Sequence, residues 1–388
     1  MVLGIDLNVN DFPLNGQVFA SFMDKYLEFN ASENLSINDR SRMQKFKIKY
    51  NEFNNYGDRF GELIGKVVDR RIEHLDVEAD MFPTIRDFMP QHLYKSKTLV
   101  SLKLVRVGLV NPECFVSLPC LKIMHLENIF CGSDGPLAVE NLISSCHVLK
   151  DLTVVRSIDR YNVEVLLFLR VRSQSLKSLR FTFANDMGGT KFAVEIDAPR
   201  LEYMSFKDNQ SDKIVVKNLS SLFMVDIDTK FNVEFGGSPL TPMNLRKRDT
   251  IRDFLIGISS ARHMIISQRT LEVLGRYMEL GPISKFRNLH RLHAAFSSSL
   301  LHVLPIFLES FPYLKNLILD FTVSPETRQT KLRYVPRCLA LTLECVEIKG
   351  LTKEEETGKK LMKYFLENSV VLKKIILRFR ASPTTIRA

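Results

Sequence analysis

A chain of 388 residues with 45% hydrophobic and 25% charged residues is too apolar for a disordered tail and too long for one ordinary core, so several domains or one elongated array is expected. The net charge of +10 favours acidic partners. Its densest basic clusters, Arg246 to Arg248 in an expected loop and Lys359, Lys360, Lys373 and Lys374 near the C-terminus, lack the interleaved aromatics of a nucleic-acid footprint.

From the N-terminus, Met1 to Asn8 has neither the basic start nor the apolar run of an export signal. The apolar stretch from Val163 to Val171 is broken by Glu164 and Arg170, short of the roughly 20 residues that cross a bilayer. A cytoplasmic or nuclear location without membrane contact is therefore expected. Cys114, Cys120, Cys131, Cys146, Cys338 and Cys345 include no C-x-x-C pair and read as buried reduced thiols.

A six-residue pattern, apolar-x-x-apolar-x-apolar, then recurs along most of the chain. The copies are Ile72/Leu75/Val77, Leu99/Leu102/Leu104, Leu121/Met124/Leu126, Leu149/Leu152/Val154, Leu176/Leu179/Phe181, Leu201/Met204/Phe206 and Leu222/Val225/Ile227. After a gap come Ala261/Met264/Ile266, Leu289/Leu292/Ala294, Leu314/Leu317/Leu319, Leu343/Val346/Ile348 and Leu372/Ile375/Leu377. Steps between first positions run from 21 to 29 residues, inside the roughly 20 to 29 residue period of leucine-rich repeats. The single step of 39 coincides with the Gly- and Pro-bearing segment from Phe235 to Pro242, which marks a loop insertion near 235–250. Three approaches to the pattern, Leu142 to Leu152, Phe307 to Leu317 and Phe365 to Ile375, align without a gap as a helix end, a turn and a strand.

These units predict an α/β leucine-rich-repeat solenoid, with parallel strands stacked on one face and helices on the other. The first, fourth and sixth hexad positions point inward, and the positions between them face solvent on the strand side. Candidate partner-binding residues are therefore Lys103, His125, Thr153, Arg180, Tyr203, Ser205, Asn316 and Lys374, while Ile123, Ile318 and Ile376 in the same ladder mark either sticky spots or a misread register.

Catalytic signatures are weak. His290-x-x-His293 falls across a strand start and reads as structural or exposed rather than metal-binding. Gly188-Gly189 and Gly236-Gly237 read as turns, and no phosphate loop, G-x-G-x-x-G or G-x-S-x-G is present. No enzyme activity, cofactor, metal or small-molecule substrate is expected. The binding partner is expected to be a protein, and nucleic acid is disfavoured.

The stretches Tyr334 to Leu339, Leu343 to Gly350, Glu354 to Glu356, Tyr364 to Ser369 and Val371 to Leu377 resemble the FBD domain of plant F-box, leucine-rich-repeat proteins. Ser175 to Phe181, Ile196 to Tyr203 and Asn218 to Leu222 are similar to the repeats of that family, and the likeness extends back to about Val18. The resemblance implies an N-terminal segment over 1–70, repeats over 71–330 and a capping FBD domain over 331–381. It also implies that the repeats and FBD region hold a target protein while an F-box docks onto the adaptor of a cullin-RING (SCF-type) ubiquitin ligase. Phe19 to Leu27 and Met43 to Lys49 resemble the segment that follows the F-box, and Trp is absent from the chain, so the F-box is expected to be missing.

Overall fold

The computed structural model describes residues 4–8, 11–12, 16–32, 43–50, 60–80, 88–113, 115–131, 136–157, 168–184, 192–233, 242–279, 281–323, 332, 334–351 and 356–380. Cys114, Gly188-Gly189 and Gly236-Gly237 lie outside them. The chain divides into two compact units, Met1–Leu201 and Glu202–Ala388.

The first unit contains β1 (Gly4–Asn8), α1 (Gly16–Ser32), β2 (Lys45–Tyr50), α2 (Phe60–Asp69), β3 (His74–Ala79), β4 (Ser101–Val105), β5 (Ile123–Glu127), α3 (Leu137–Ser144), β6 (Asp151–Ser157), β7 (Phe168–Arg172), β8 (Ser178–Ala184) and β9 (Phe192–Asp197). Its main sheet runs β1-β2-β3-β4-β5-β6-β8, with every neighbouring pair parallel. Alternation along each strand turns the fourth and sixth hexad positions inward, and the register places them side by side: Leu75, Leu102, Met124, Leu152 and Leu179 form one buried row. Each such side chain contributes about 1.5 to 3 kcal/mol when removed from water.

The backbone repeats as regularly as the side chains. In four successive copies the carbonyl of the second hexad position accepts two N–H groups of the next copy: Glu73 from Val100 and Ser101, Val100 from Lys122 and Ile123, Lys122 from Lys150 and Asp151, and Lys150 from Lys177 and Ser178. Gln44 accepts from Glu73 and His74 in the same way. Met43/Phe46/Ile48 is thus a further copy within the N-terminal segment, with Phe46 and Ile48 buried beside Leu75 and Val77.

Two hydroxyls just before a hexad staple it to the previous copy. Thr98 Oγ1 donates to the Ile72 carbonyl at 2.8 Å, and Ser175 Oγ donates to the Leu149 carbonyl at 2.9 Å. Thr98→Val keeps the shape and removes the donor, so it is expected to cost about 1 kcal/mol. Urea denaturation of the variant checks this, and an unchanged midpoint would refute the staple.

The outer layer differs from the expected helices near β8. There β7 and β9 pair in parallel, with Leu169 opposite Val194 and Val171 opposite Ile196, all buried. Phe168 to Arg172 and Phe192 to Asp197 alternate with period 2, the pattern of a strand rather than a helix. Arg156, on the inward side of β6, has its guanidinium 4.4 Å from the ring centroid of Phe183, 5.3 Å from that of Phe192 and 5.9 Å from that of Phe181. Cation–π attraction of about 2 kcal/mol in a desolvated setting offsets part of the cost of placing that charge inside.

The second unit contains β10 (Tyr203–Asp208), β11 (Ser211–Lys217), β12 (Met224–Thr229), α4 (Pro242–Gly257), β13 (His263–Ile266), α5 (Gln268–Glu279), β14 (Arg291–Ser297), α6 (Leu304–Leu308), β15 (Asn316–Thr322), α7 (Arg337–Leu341), β16 (Cys345–Leu351), α8 (Glu356–Asn368) and β17 (Lys374–Phe379). Its sheet order is β10-β12-β13-β14-β15-β16-β17, again parallel throughout. Thr342 Oγ1 donates to the Leu314 carbonyl at 2.9 Å, the same staple as in the first unit.

The long step at 235–250 is helical where it is described. Residues 242–257 form α4, and Arg246 to Arg248 sit on that helix rather than in a loop. Ile251, Phe254, Leu255 and Ile258 recur at helical spacing and are buried, and Lys247 pairs with Asp212 at 2.6 Å. At β17, which ends the strand order, the inward residues Ile375 and Leu377 are only half-buried because a neighbouring strand covers one side.

Cys131, Cys146 and Cys338 are buried free thiols that burial pushes up to about 12, while Cys120 and Cys345 are half-buried. Among the described residues, no helix is long and apolar enough to cross a membrane.

Candidate functional site

The outward strand positions of the first unit line up in register. Asp6, Lys47, Asp76, Lys103, His125 and Thr153 form one row across β1 to β6, and Arg180 continues it on β8. All four candidate residues of this unit therefore share one line. They differ in exposure: Arg180 is exposed, and Lys103, His125 and Thr153 are half-buried because long neighbours lie beside them.

Charge alternates along the first half of that row. Lys47 approaches Asp6 at 2.9 Å, and Lys103 approaches Asp76 at 3.4 Å and Glu78 at 3.7 Å. The hydrogen bond to Asp6 holds the Lys47 ammonium above the usual lysine range. His125 Nε2 lies 3.0 Å from Glu127, two residues along the same strand and so on the same face. Such exposed pairs contribute about 0 to 1 kcal/mol each, so they order the surface more than they stabilise the fold. Arg180 donates from Nη1 to the Ser178 hydroxyl at 3.3 Å.

In the second unit the first outward row is Tyr203, Met224, His263, Arg291, Asn316 and Cys345, continued by Lys374. Tyr203 is half-buried, and Asn316 and Lys374 are exposed. Ser205 departs from its expected exposure. It is 7% exposed on the second row, where its short hydroxyl donates to Asp226, its register neighbour on β12, at 3.1 Å. Ile318 departs in the same direction at 8% exposed, flanked in register by His293 and Glu347, whereas Ile123 stays exposed and Ile376 is half-buried.

His290 and His293 do not converge. His290 Nδ1 faces the Asn288 carbonyl at 2.6 Å, and His293 Nε2 lies 2.6 Å from Asp320 on the next strand. That carboxylate comes from 27 residues away, so local spacing gave no sign of it. Arg378 binds Glu347 at 2.5 Å and holds its carboxyl below the usual range. Among the described residues, no group of three or more His, Cys, Asp and Glu side chains could hold a metal ion.

Comparison with known proteins agrees with this architecture. The FBD family model matches residues 330–377, and the model described as "FBD-associated F-box protein At5g56370, LRR repeats" matches residues 61–226. An F-box/FBD/LRR-repeat protein of Arabidopsis thaliana is 58% identical over 381 residues, covering 97% of this chain and 83% of the relative. A putative F-box/FBD/LRR-repeat protein of the same plant is 59% identical over 388 residues, covering 99% and 85%. F-box/LRR-repeat protein 13, also from Arabidopsis thaliana, is 38% identical over 382 residues, covering 97% and 80%. No solved structure matches the chain at a significant level. With these relatives aligned along almost its whole length, the chain belongs to the plant F-box/FBD/LRR-repeat family.

Proposed function

We propose that the chain is a noncatalytic scaffold that holds a target protein on the outward strand face of its repeats. The row formed by Lys103, His125, Thr153 and Arg180 carries this reading. It presents different side-chain chemistries on adjacent parallel strands, so residues there can change without disturbing the buried rows. Arg180→Ala is expected to keep the circular dichroism spectrum and to alter stability by no more than about 0.5 kcal/mol, while lowering recovery of the partner captured by a photo-crosslinker at Thr153. Equal capture from a crosslinker at exposed Leu137, on α3, would overturn the assignment to the strand face.

A second reading has separate support in the names of the relatives, which include an F-box. On that reading the chain is a substrate receptor of an SCF-type cullin-RING ubiquitin ligase. Co-purification with the ligase adaptor tests it, and failure to bind the adaptor leaves the scaffold reading intact.

A further inference from the structure

In the second unit, the edge where the parallel strands begin gathers charge from segments far apart in sequence. The Phe223 carbonyl accepts N–H bonds from Arg262 and His263, the Arg262 carbonyl from His290 and Arg291, and the His290 carbonyl from Lys315 and Asn316. Five basic side chains, Arg262, His263, His290, Arg291 and Lys315, are thereby placed at the starts of three adjacent strands. Arg262, Arg291 and Lys315 are exposed, and the two histidines are half-buried. The His263 ring packs on Phe223 with centroids 4.5 Å apart, and Phe223 is itself 45% exposed.

The local field is positive. His263 is held below the usual histidine range first by burial and then by Arg291, His290 and Arg262, so neighbouring cations oppose its protonation. Carboxylates bracket this run without filling it. Glu202 and Glu344 occupy the equivalent position on flanking copies, and Glu344 is bound to Lys373 at 2.7 Å. Glu347 feels the Arg291 charge but is held by Arg378 at 2.5 Å.

We propose that this edge docks an acidic peptide segment of the target protein, its carboxylates meeting Arg262, Arg291 and Lys315 and an apolar side chain covering Phe223. The proposal rests on the target-binding reading above and names the chemistry of one part of the surface. From β12 to β15 the edge spans about 14 Å, the length of roughly four extended residues. The bracketing carboxylates stop the basic run at that length, which suits a short acidic segment and opposes a continuous polyphosphate backbone.

The full chain can be titrated with a fluorescent glutamate-rich pentapeptide bearing a central tyrosine, with its glutamine counterpart, and with a single-stranded oligonucleotide. The acidic peptide is expected to bind, to weaken between about 0.05 and 0.2 M salt, and to lose about tenfold in affinity in the Arg262→Ala/Arg291→Ala variant. Lys315→Gln, which shares no position with that pair, provides an independent variant should the first fail to fold, and Lys66→Ala, exposed on α2 of the other unit, should bind as wild type. Equal binding of the glutamine peptide, undiminished binding by folded edge variants, or tighter oligonucleotide binding at this edge would each overturn the proposal. Capture through the Thr153 crosslinker is scored separately. Absence of any such capture by the otherwise wild-type chain, with peptide binding intact, overturns the scaffold reading, whereas capture with no peptide binding overturns only this inference.

Discussion

Leu317→Asp is expected to unfold the second unit. Leu317 is fully buried on β15, in register with Leu292 on β14 and Val346 on β16. Removing a buried leucine costs about 2 to 5 kcal/mol. A carboxylate left among apolar neighbours adds a further desolvation penalty, or takes up a proton at comparable expense. The total approaches the roughly 5 to 15 kcal/mol that holds a typical domain together. Because each copy depends on its neighbours for burial, the damage should spread to β14 and β16 rather than stay at one strand. Amide hydrogen exchange read over those strands would show loss of protection. The adjacent exposed position supplies the contrast, since Asn316→Asp should shift stability by no more than about 0.5 kcal/mol. If Asn316→Asp collapsed the unit while Leu317→Asp melted as wild type, the inward and outward faces would be reversed.

The hexads were legible because burial is read by whole side chains at fixed intervals, and the fourth and sixth positions of all the copies lie on strands. Features decided by single atoms were not. The hydroxyls of Thr98, Ser175 and Thr342 look like ordinary turn residues, and only their shared place just before a hexad marks them as staples. Met43/Phe46/Ile48 fits the same hexad but contains no leucine, and Lys45, Lys47 and Lys49 between and after its apolar positions give it the look of a charged surface segment. The helical spacing of Ile251, Phe254, Leu255 and Ile258 was masked by the turn-forming residues before it. Alternation correctly placed the outward row that includes Lys103 and Arg180, yet alternation cannot tell that a short serine such as Ser205 will be buried at its bond to Asp226. Nor could local charge counting find the edge at Arg262, His290 and Lys315. Those residues become one patch only when successive hexads are superposed by their second position.

Gly350→Val should destabilise the C-terminal part of the second unit by more than about 3 kcal/mol, by a mechanism independent of core volume. Gly350 has φ +81°, a conformation that a β-branched residue adopts only under strain, and a Cβ built there would run into the carbonyl oxygen of Phe321. That oxygen belongs to the neighbouring strand β15 and cannot swing aside as a side chain could. The glycine is also where the register between β16 and β17 shifts: Lys349 faces Arg378, but Leu351 faces Phe379. The extra residue reverses the alternation, so Leu351 turns inward and is buried, at the place where Gly358 of α8 leaves room for it. Straightening the bulge to accommodate valine would turn Leu351 out and loosen α8. Hydrogen exchange along residues 356–368 should therefore rise sharply in Gly350→Val. Gly358→Ala presses only on a terminal methyl of Leu351 and should have a smaller effect, because that methyl can rotate away. Equal protection of α8 in Gly350→Val and wild type would show that the bulge does not position Leu351.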